Sequence, residues 1–320
     1  MCGKIGLKGG MRTAMKGAFS ACVLVLLLSL HVGCSGEPQS TGRIKVAATV
    51  FPLYDIAQNV VGDRGEVLVL LPPGASPHTY DLTPQQARQL KGVRVVFKVG
   101  HGLDDWTRAI GDIWPGVETV VVDKGIVPRL SNDSEEHDES AEHAHMREEM
   151  NPHYWLSVRN GEMIAKNIAE EMIRIDPAHE ASYSANAERY LAKLSDVKQE
   201  IEAQLSGLPN KRIVTFHDAW GYFADEFGLE IVATFEPFPG KQPTPRYLAE
   251  LQRRVRKLGI KVIFSEPQLS TETIAPFVED MGLKLYVLDP LGGVEGRNTY
   301  IELLRYNAQV IAEALNNGRR

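Results

Sequence analysis

Four residues combine a metal-ligating side chain with a loop able to hold it still: His78, His153, His217 and Asp289. His78 lies in Pro72-Pro73-Gly74-Ala75-Ser76-Pro77-His78-Thr79-Tyr80-Asp81, a stretch stiffened by prolines. His153 follows Asn151-Pro152 and precedes Tyr154-Trp155-Leu156-Ser157. His217 stands in Phe216-His217-Asp218-Ala219, and Asp289 in Leu288-Asp289-Pro290-Leu291-Gly292. An imidazole on a stiff loop loses little conformational freedom when it binds an ion. Three imidazoles and a carboxylate suit a four-coordinate divalent transition metal, with bonds of about 2.0–2.2 Å for zinc. Calcium and magnesium take mostly oxygen ligands. The cysteines, Cys2, Cys22 and Cys34, all lie at the N-terminal end, so a site in the body is built without thiolate.

Singly, each residue has a plainer reading. A loop histidine is more often a surface residue, and an Asp before Pro more often a turn residue. Glu266 is an alternative carboxylate whose default role is a loop cap. His101, in Gly100-His101-Gly102, reads as an ordinary loop residue, and His179 as an exposed residue at the start of a helix. What the four share is context: each sits just past a strand or on a proline-marked loop entering a helix.

Those elements come from the hydrophobic pattern. Strands are expected at 44–49, 66–71, 93–99 and 118–123, alternating with helices at 53–61, 84–91 and 104–113. Thr83-Pro84-Gln85-Gln86 reads as a capping box with proline at the first helical position. After Gly207 the alternation restarts, with strands at 212–216, 230–234, 261–265 and 284–288, and helices from Thr244 to Gly259, 272–281 and 298–315. Between the two sets lie helices at 160–175 and from Ala178 to about Leu205. The second carries Tyr183, Ala187, Tyr190, Leu194, Val197 and Ile201 at three-to-four spacing. At that length it would extend about 40 Å, more than one lobe needs, and it reads as a strut. The fold class is α/β: two lobes, each a four-stranded parallel sheet with flanking helices, joined by one long rigid helix. Strand ends that face a common cleft would bring His78 and His153 from the first lobe to His217 and Asp289 from the second.

The four segments, taken in order, resemble the metal-binding segments of zinc-type solute-binding proteins, the extracytoplasmic receptors of bacterial ABC transporters for zinc and manganese. The resemblance covers essentially the whole mature chain and implies a metal buried between the lobes. It implies His78, His153 and His217 as the histidine ligands, and Asp289 as the carboxylate that fills or guards the fourth position. It departs at Asn151, where Asp is common, and at Val158, where Pro is common. Manganese members typically carry a carboxylate where this chain has His217, so the resemblance favours Zn2+ over Mn2+ or iron. It also implies an ABC permease as partner and a monomer.

Residues 131–149 are polar and acidic, and carry His137, His143 and His145. They read as a mobile loop: either a solvated acidic linker or a weak secondary metal-collecting segment. At the start of the chain, Lys4, Lys8, Arg12 and Lys16 precede an apolar run from Ala18 to Leu30, too short to span a bilayer comfortably. Residues 1–33 therefore read as a signal peptide. Cys34, after Val32-Gly33 and at the head of a Ser/Gly/Pro tether at 34–43, reads as a lipidation site, with His31 departing from the usual lipobox leucine. The mature domains are then 44–157, a helical linker at 158–206, and 207–320. Loss of the leader's basic residues shifts the net charge from −6 to about −10, which argues against nucleic acid and suits a collector of cations.

These expectations amount to an exported, lipid-anchored, non-enzymatic zinc receptor that delivers its ion to a permease. A zinc hydrolase on the same ligands is the alternative from another class. No His-Glu-x-x-His or Gly-x-Ser-x-Gly motif supports it, and Glu236 or Glu266 would have to act as base. A surface adhesin is the third reading.

Overall fold

The computed structural model describes residues 43–130, 150–236 and 242–317. The expected leader at 1–33, the expected tether with Cys34, and the 131–149 segment with His137, His143 and His145 lie outside the described residues.

Two four-stranded, all-parallel sheets organise the chain. In the first, β1 (Ile44–Ala48), β2 (Gly65–Val69), β3 (Val95–Lys98) and β4 (Glu118–Val121) lie in the order β2-β1-β3-β4. In the second, β5 (Arg212–Thr215), β6 (Glu230–Thr234), β7 (Val262–Ser265) and β8 (Lys284–Val287) repeat the pattern as β6-β5-β7-β8. The inner strands are apolar on both faces because helices cover both, and Val46, Ala47, Ala48, Val95, Val96 and Phe97 are fully buried.

The order reverses between β1 and β3 and again between β5 and β7, where open α/β sheets form their ligand crevices. The first crevice is filled by Asp104. Its carboxylate accepts from Val99 N at 2.7 Å, Gly100 N at 2.8 Å and Thr49 Oγ1 at 2.8 Å. The second sheet ends in ionisable residues. Within two residues of the strand ends stand His217 after β5, Glu236 after β6, Glu266 after β7 and Asp289 after β8, all buried.

Helices α1 (Phe51–Val61), α2 (Pro84–Gln89) and α3 (Arg108–Ile113) belong to the first half. The connecting helices are α4 (Val158–Ile175) and α5 (Glu180–Ser206). In the second half lie α6 (Gly221–Phe227), α7 (Pro245–Leu258), α8 (Thr271–Met281) and α9 (Tyr300–Asn317). The start of α4 falls two residues before its expected position because the Ser157 side chain accepts from Asn160 N, which makes Ser157 the cap. The stripe from Tyr183 to Ile201 on the 27-residue α5 is buried as its spacing requires, and Leu205 extends it.

That stripe packs into one apolar core shared by α1, α4, α5 and α9, which runs from Val46 in the first sheet to Phe264 in the second. The long helix is thus embedded in the core and is more than a bare strut. Asp55 on α1 reinforces the junction. It is buried, accepts from Tyr300 N at the start of α9 at 3.0 Å, and receives Tyr190 Oη from α5 at 3.3 Å. Burial raises its pKa, and the bond from Tyr300 N only partly offsets this. Among the described residues, no helix is long and apolar enough to cross a membrane.

Candidate metal centre

The loop carrying His78 is held at its root. The expected capping box on α2 is present, with the Thr83 side chain accepting from Gln86 N and the Gln86 side chain accepting from Thr83 N at 3.1 Å. Gln86 Nε2 also donates to Leu70 O at 3.0 Å, and Tyr80 Oη bonds to Gln86 Oε1. Both ends of the 70–83 loop are therefore pinned to one helix, with the proline-stiffened segment between them.

His153 is fixed from behind by Asn151, whose Oδ1 accepts from His153 N at 3.0 Å and faces His153 Nδ1 at 2.9 Å. The following turn, Tyr154–Leu156, is buried, and Trp155 Nε1 donates to Pro290 O at 2.8 Å, which ties it to the second half. His217 backs onto Glu266. Its Nδ1 lies 2.7 Å from Glu266 Oε1 as a close ion pair, without the alignment of a linear hydrogen bond. Trp220 Nε1 donates to the same carboxylate oxygen at 3.1 Å.

The three imidazoles converge tip to tip. His153 Nε2 lies 3.1 Å from His78 Nε2 and 3.3 Å from His217 Nε2. One ligand nitrogen from each ring falls within 4.8 Å of the other two, the single such cluster among the described residues. A tetrahedral zinc with bonds near 2.0–2.1 Å separates adjacent ligand nitrogens by about 3.3 Å, so the donors already stand at the spacing such an ion requires. The walls around them include Pro77, Trp155, Leu269, Pro290 and Leu291, and the site is largely apolar.

Protonation follows from these surroundings. Burial, then the charge on His217, pushes His78 down to about 4 although its ring keeps some exposure. Burial likewise holds His153 well below the ordinary histidine value, helped by its two imidazole neighbours. His217 differs. Burial opposes its charge, but Glu266, Asp218 and Glu236 outweigh that and hold its pKa above the ordinary value. Of the three rings, His217 is thus the one that keeps its charge to higher pH, while His78 and His153 are held toward the neutral form.

Asp289 is not within ligand distance of the three rings. Its Oδ2 pairs with Arg297 Nε at 2.8 Å, and its Oδ1 accepts from Leu291 N and Gly292 N, each at 3.0 Å. Arg297 also lies over the Tyr306 ring, 4.3 Å from its centroid. His101 adopts a left-handed backbone and pairs with Asp123 at 2.8 Å, away from the cluster. His179 sits half-exposed beside Asp176 at 2.8 Å.

Sequence reading missed the work of three residues. In the sequence Glu266 reads as an alternative carboxylate, a loop cap or a base, whereas in the structure it stands behind a histidine. Asn151 reads there only as a departure from the family pattern, and nothing in the sequence points to Arg297. The one signal available was position: Glu266 follows a strand directly, as His217 and Asp289 nearly do.

Two parallel-sheet lobes that present three convergent imidazoles define the class of metal-binding solute-binding proteins. Residues 46–314 match the family ZnuA, zinc-uptake complex component A, periplasmic, and the chain belongs to it. It is 26% identical over 287 residues to the zinc-binding protein AdcA of Streptococcus pyogenes serotype M3, an alignment covering 84% of this chain and 56% of AdcA. The chain thus spans about half the length of that relative. It is 27% identical over 304 residues to the high-affinity zinc uptake system protein ZnuA of Bacillus subtilis, covering 92% of this chain and 95% of the relative. A crystal structure of ZnuA superposes with a TM-score of 0.75 at 26% identity, over 86% of this chain and all of that one.

Proposed function

We propose that the chain is a zinc receptor that captures the ion outside the cytoplasmic membrane and passes it to an ABC permease. His78, His153 and His217 serve as ligands and Asp289 guards the fourth position. The observation that carries this reading is the convergence of three Nε2 atoms at 3.1 and 3.3 Å. The all-imidazole face favours zinc over manganese or iron, which suit harder oxygen donors. Asp289 reaches the ion only by giving up Arg297.

Capture follows from the groups in place. His78 and His153 stay neutral and offer lone pairs without losing a proton. Zinc, as the cargo, displaces the proton held on His217. Glu266 then stands against the ring whose far nitrogen meets the ion, and its negative charge strengthens that donor. Release to a permease reverses these steps, and reprotonation of His217 assists it. A lipid on Cys34 would keep the receptor at the membrane, the receptor would act as a monomer, and His137, His143 and His145 would form a secondary metal-collecting segment. The motif at Cys34 and the family's periplasmic description support the location. Against a hydrolase, Glu266 faces the back of a ligand ring and contacts Trp220, a poor station for activating water.

Calorimetry and native mass spectrometry on chelator-stripped protein, with zinc, manganese and ferrous iron, test the reading. One tight zinc per chain, lost in His217→Ala, is expected. Absence of stoichiometric zinc binding, its survival in His217→Ala, or tighter binding of manganese would overturn it.

A further inference from the structure

Asn151 uses every polar atom it has, and its side-chain amide joins His153 to the residue next to His217. The residue is only 2% exposed. Its Oδ1 accepts from His153 N at 3.0 Å and stands 2.9 Å from His153 Nδ1. Its Nδ2 donates to Asp218 O at 2.5 Å and approaches Asp218 Oδ2 at 3.2 Å. Its backbone N donates to Arg129 O at 2.7 Å, and its carbonyl accepts from Tyr222 Oη at 3.0 Å.

The orientation of the amide is forced by its partners. A backbone N–H only donates and a backbone carbonyl only accepts. The atom facing His153 N is therefore the amide oxygen, and the atom facing Asp218 O is the amide nitrogen. The tautomer of His153 follows: an oxygen at 2.9 Å from Nδ1 requires the proton on Nδ1. That leaves the Nε2 lone pair pointing at the other two imidazoles.

The other end of the side chain grips the residue next to His217. One amide thus sets the tautomer of a histidine that precedes the long helix and anchors the loop of a histidine that follows it. We infer that Asn151 is a positioning residue for metal capture. It holds the Nε2 atoms of His153 and His217 at a coordinating separation and keeps His153 in the one neutral tautomer that can coordinate from the cleft. The inference rests on the zinc-receptor reading for its ligand, but the geometry stands without the ion.

Asp is common here in the family, but in this chain Asp218 O and Oδ2 face the amide nitrogen, so the position calls for a donor as well as an acceptor. An aspartate at 151 keeps an acceptor for His153 but turns its second oxygen toward the Asp218 carbonyl and carboxylate. Three acceptors then meet with no hydrogen between them, and the grip across the halves is lost. A leucine removes both ends. Without an acceptor at Nδ1, nothing selects the Nδ1–H tautomer, and the Nε2–H form blocks coordination.

The test compares wild type, Asn151→Asp, Asn151→Leu and the exchange Asn151→Asp/Asp218→Asn. Each is measured for zinc affinity by chelator competition, for zinc dissociation rate, and for ring tautomer by nitrogen NMR of the metal-free, histidine-labelled chain. Loss of a group that orients a metal-ligating histidine weakens affinity by about 10–100-fold, and both single substitutions should fall in that range with faster zinc release. The exchange variant returns a donor to the pair and should recover about tenfold of the loss. It should not recover the whole, because the Asp218 carbonyl still faces an oxygen. In the NMR spectrum His153 should be the Nδ1–H tautomer in wild type and Asn151→Asp, and shift toward Nε2–H in Asn151→Leu. Unchanged affinity in both single variants, no recovery on exchange, or an Nε2–H tautomer in wild type would each overturn the assignment. If wild type binds no zinc, the receptor reading fails, and the tautomer measurement still decides the role of Asn151.

Discussion

Zinc capture by this site should release one proton where an ordinary three-histidine site would release nearly three. At pH 5.5, free imidazoles with pKa near 6.5 are each about nine-tenths protonated, and three of them would surrender almost three protons to an incoming ion. Here His78 titrates near 4 and His153 lies well below the ordinary value, so both are already neutral in that window. His217, its pKa raised against the burial penalty by Glu266 and its acidic neighbours, is the one that carries a proton. Apparent zinc affinity should then fall about tenfold from pH 6 to pH 5, against roughly 500-fold for three independent ordinary histidines. The sign is that acid weakens binding in both cases, and only the slope differs. Chelator competition across pH 5–7, corrected for the chelator's own titration, gives the slope. Calorimetry in buffers of different ionisation enthalpy counts the protons directly. A slope of two or more, or release of two or more protons, would show that His78 or His153 is charged in the ion-free cleft and refute the argument from burial.

Other substitutions separate the parts. Glu266→Gln should weaken zinc by about 10–100-fold and lower the proton release near pH 6, because His217 loses the partner that holds its proton; the same calorimetry reads both. Arg297→Met leaves the Asp289 carboxylate buried without its cation. Such losses cost roughly 3–5 kcal/mol, and the lower end is expected in denaturant unfolding because the Arg297 side chain keeps 20% of its exposure. If zinc draws in the freed carboxylate, saturating zinc should recover more stability in this variant than in wild type. Leu194→Ala in the buried stripe of the long helix should cost about 2–5 kcal/mol and leave zinc affinity unchanged, since the residue lies in the shared core. Because that core runs through both halves, small-angle scattering should show little change in dimensions with zinc; a large compaction would contradict an embedded helix.

Much of the architecture was legible in the sequence because it is written in local patterns. Strand–helix alternation, the Thr83–Gln86 cap and the three-to-four spacing from Tyr183 to Ile201 depend on neighbours within a turn or two, and all appear in the structure. Boundaries moved where a side chain intervened, as at Ser157, whose hydroxyl begins a helix two residues early. The residue types at 78, 153 and 217 likewise set the chemistry on offer, since only imidazoles give a nitrogen face without cysteine.

What the sequence could not carry was the partner of each charged group. Asp289 and Glu266 look alike as buried acids before prolines, yet one lies against Arg297 and the other against His217. Asn151 reads as a minor departure until folding sets it between His153 and Asp218. Those pairings join residues tens of positions apart, at distances where an ångström decides between contact and solvent. They arise only when packing of the shared core fixes the directions of side chains on separate elements. The kinds of donor on offer are thus a property of the sequence, whereas the partners of His217 and Asp289 are properties of the fold.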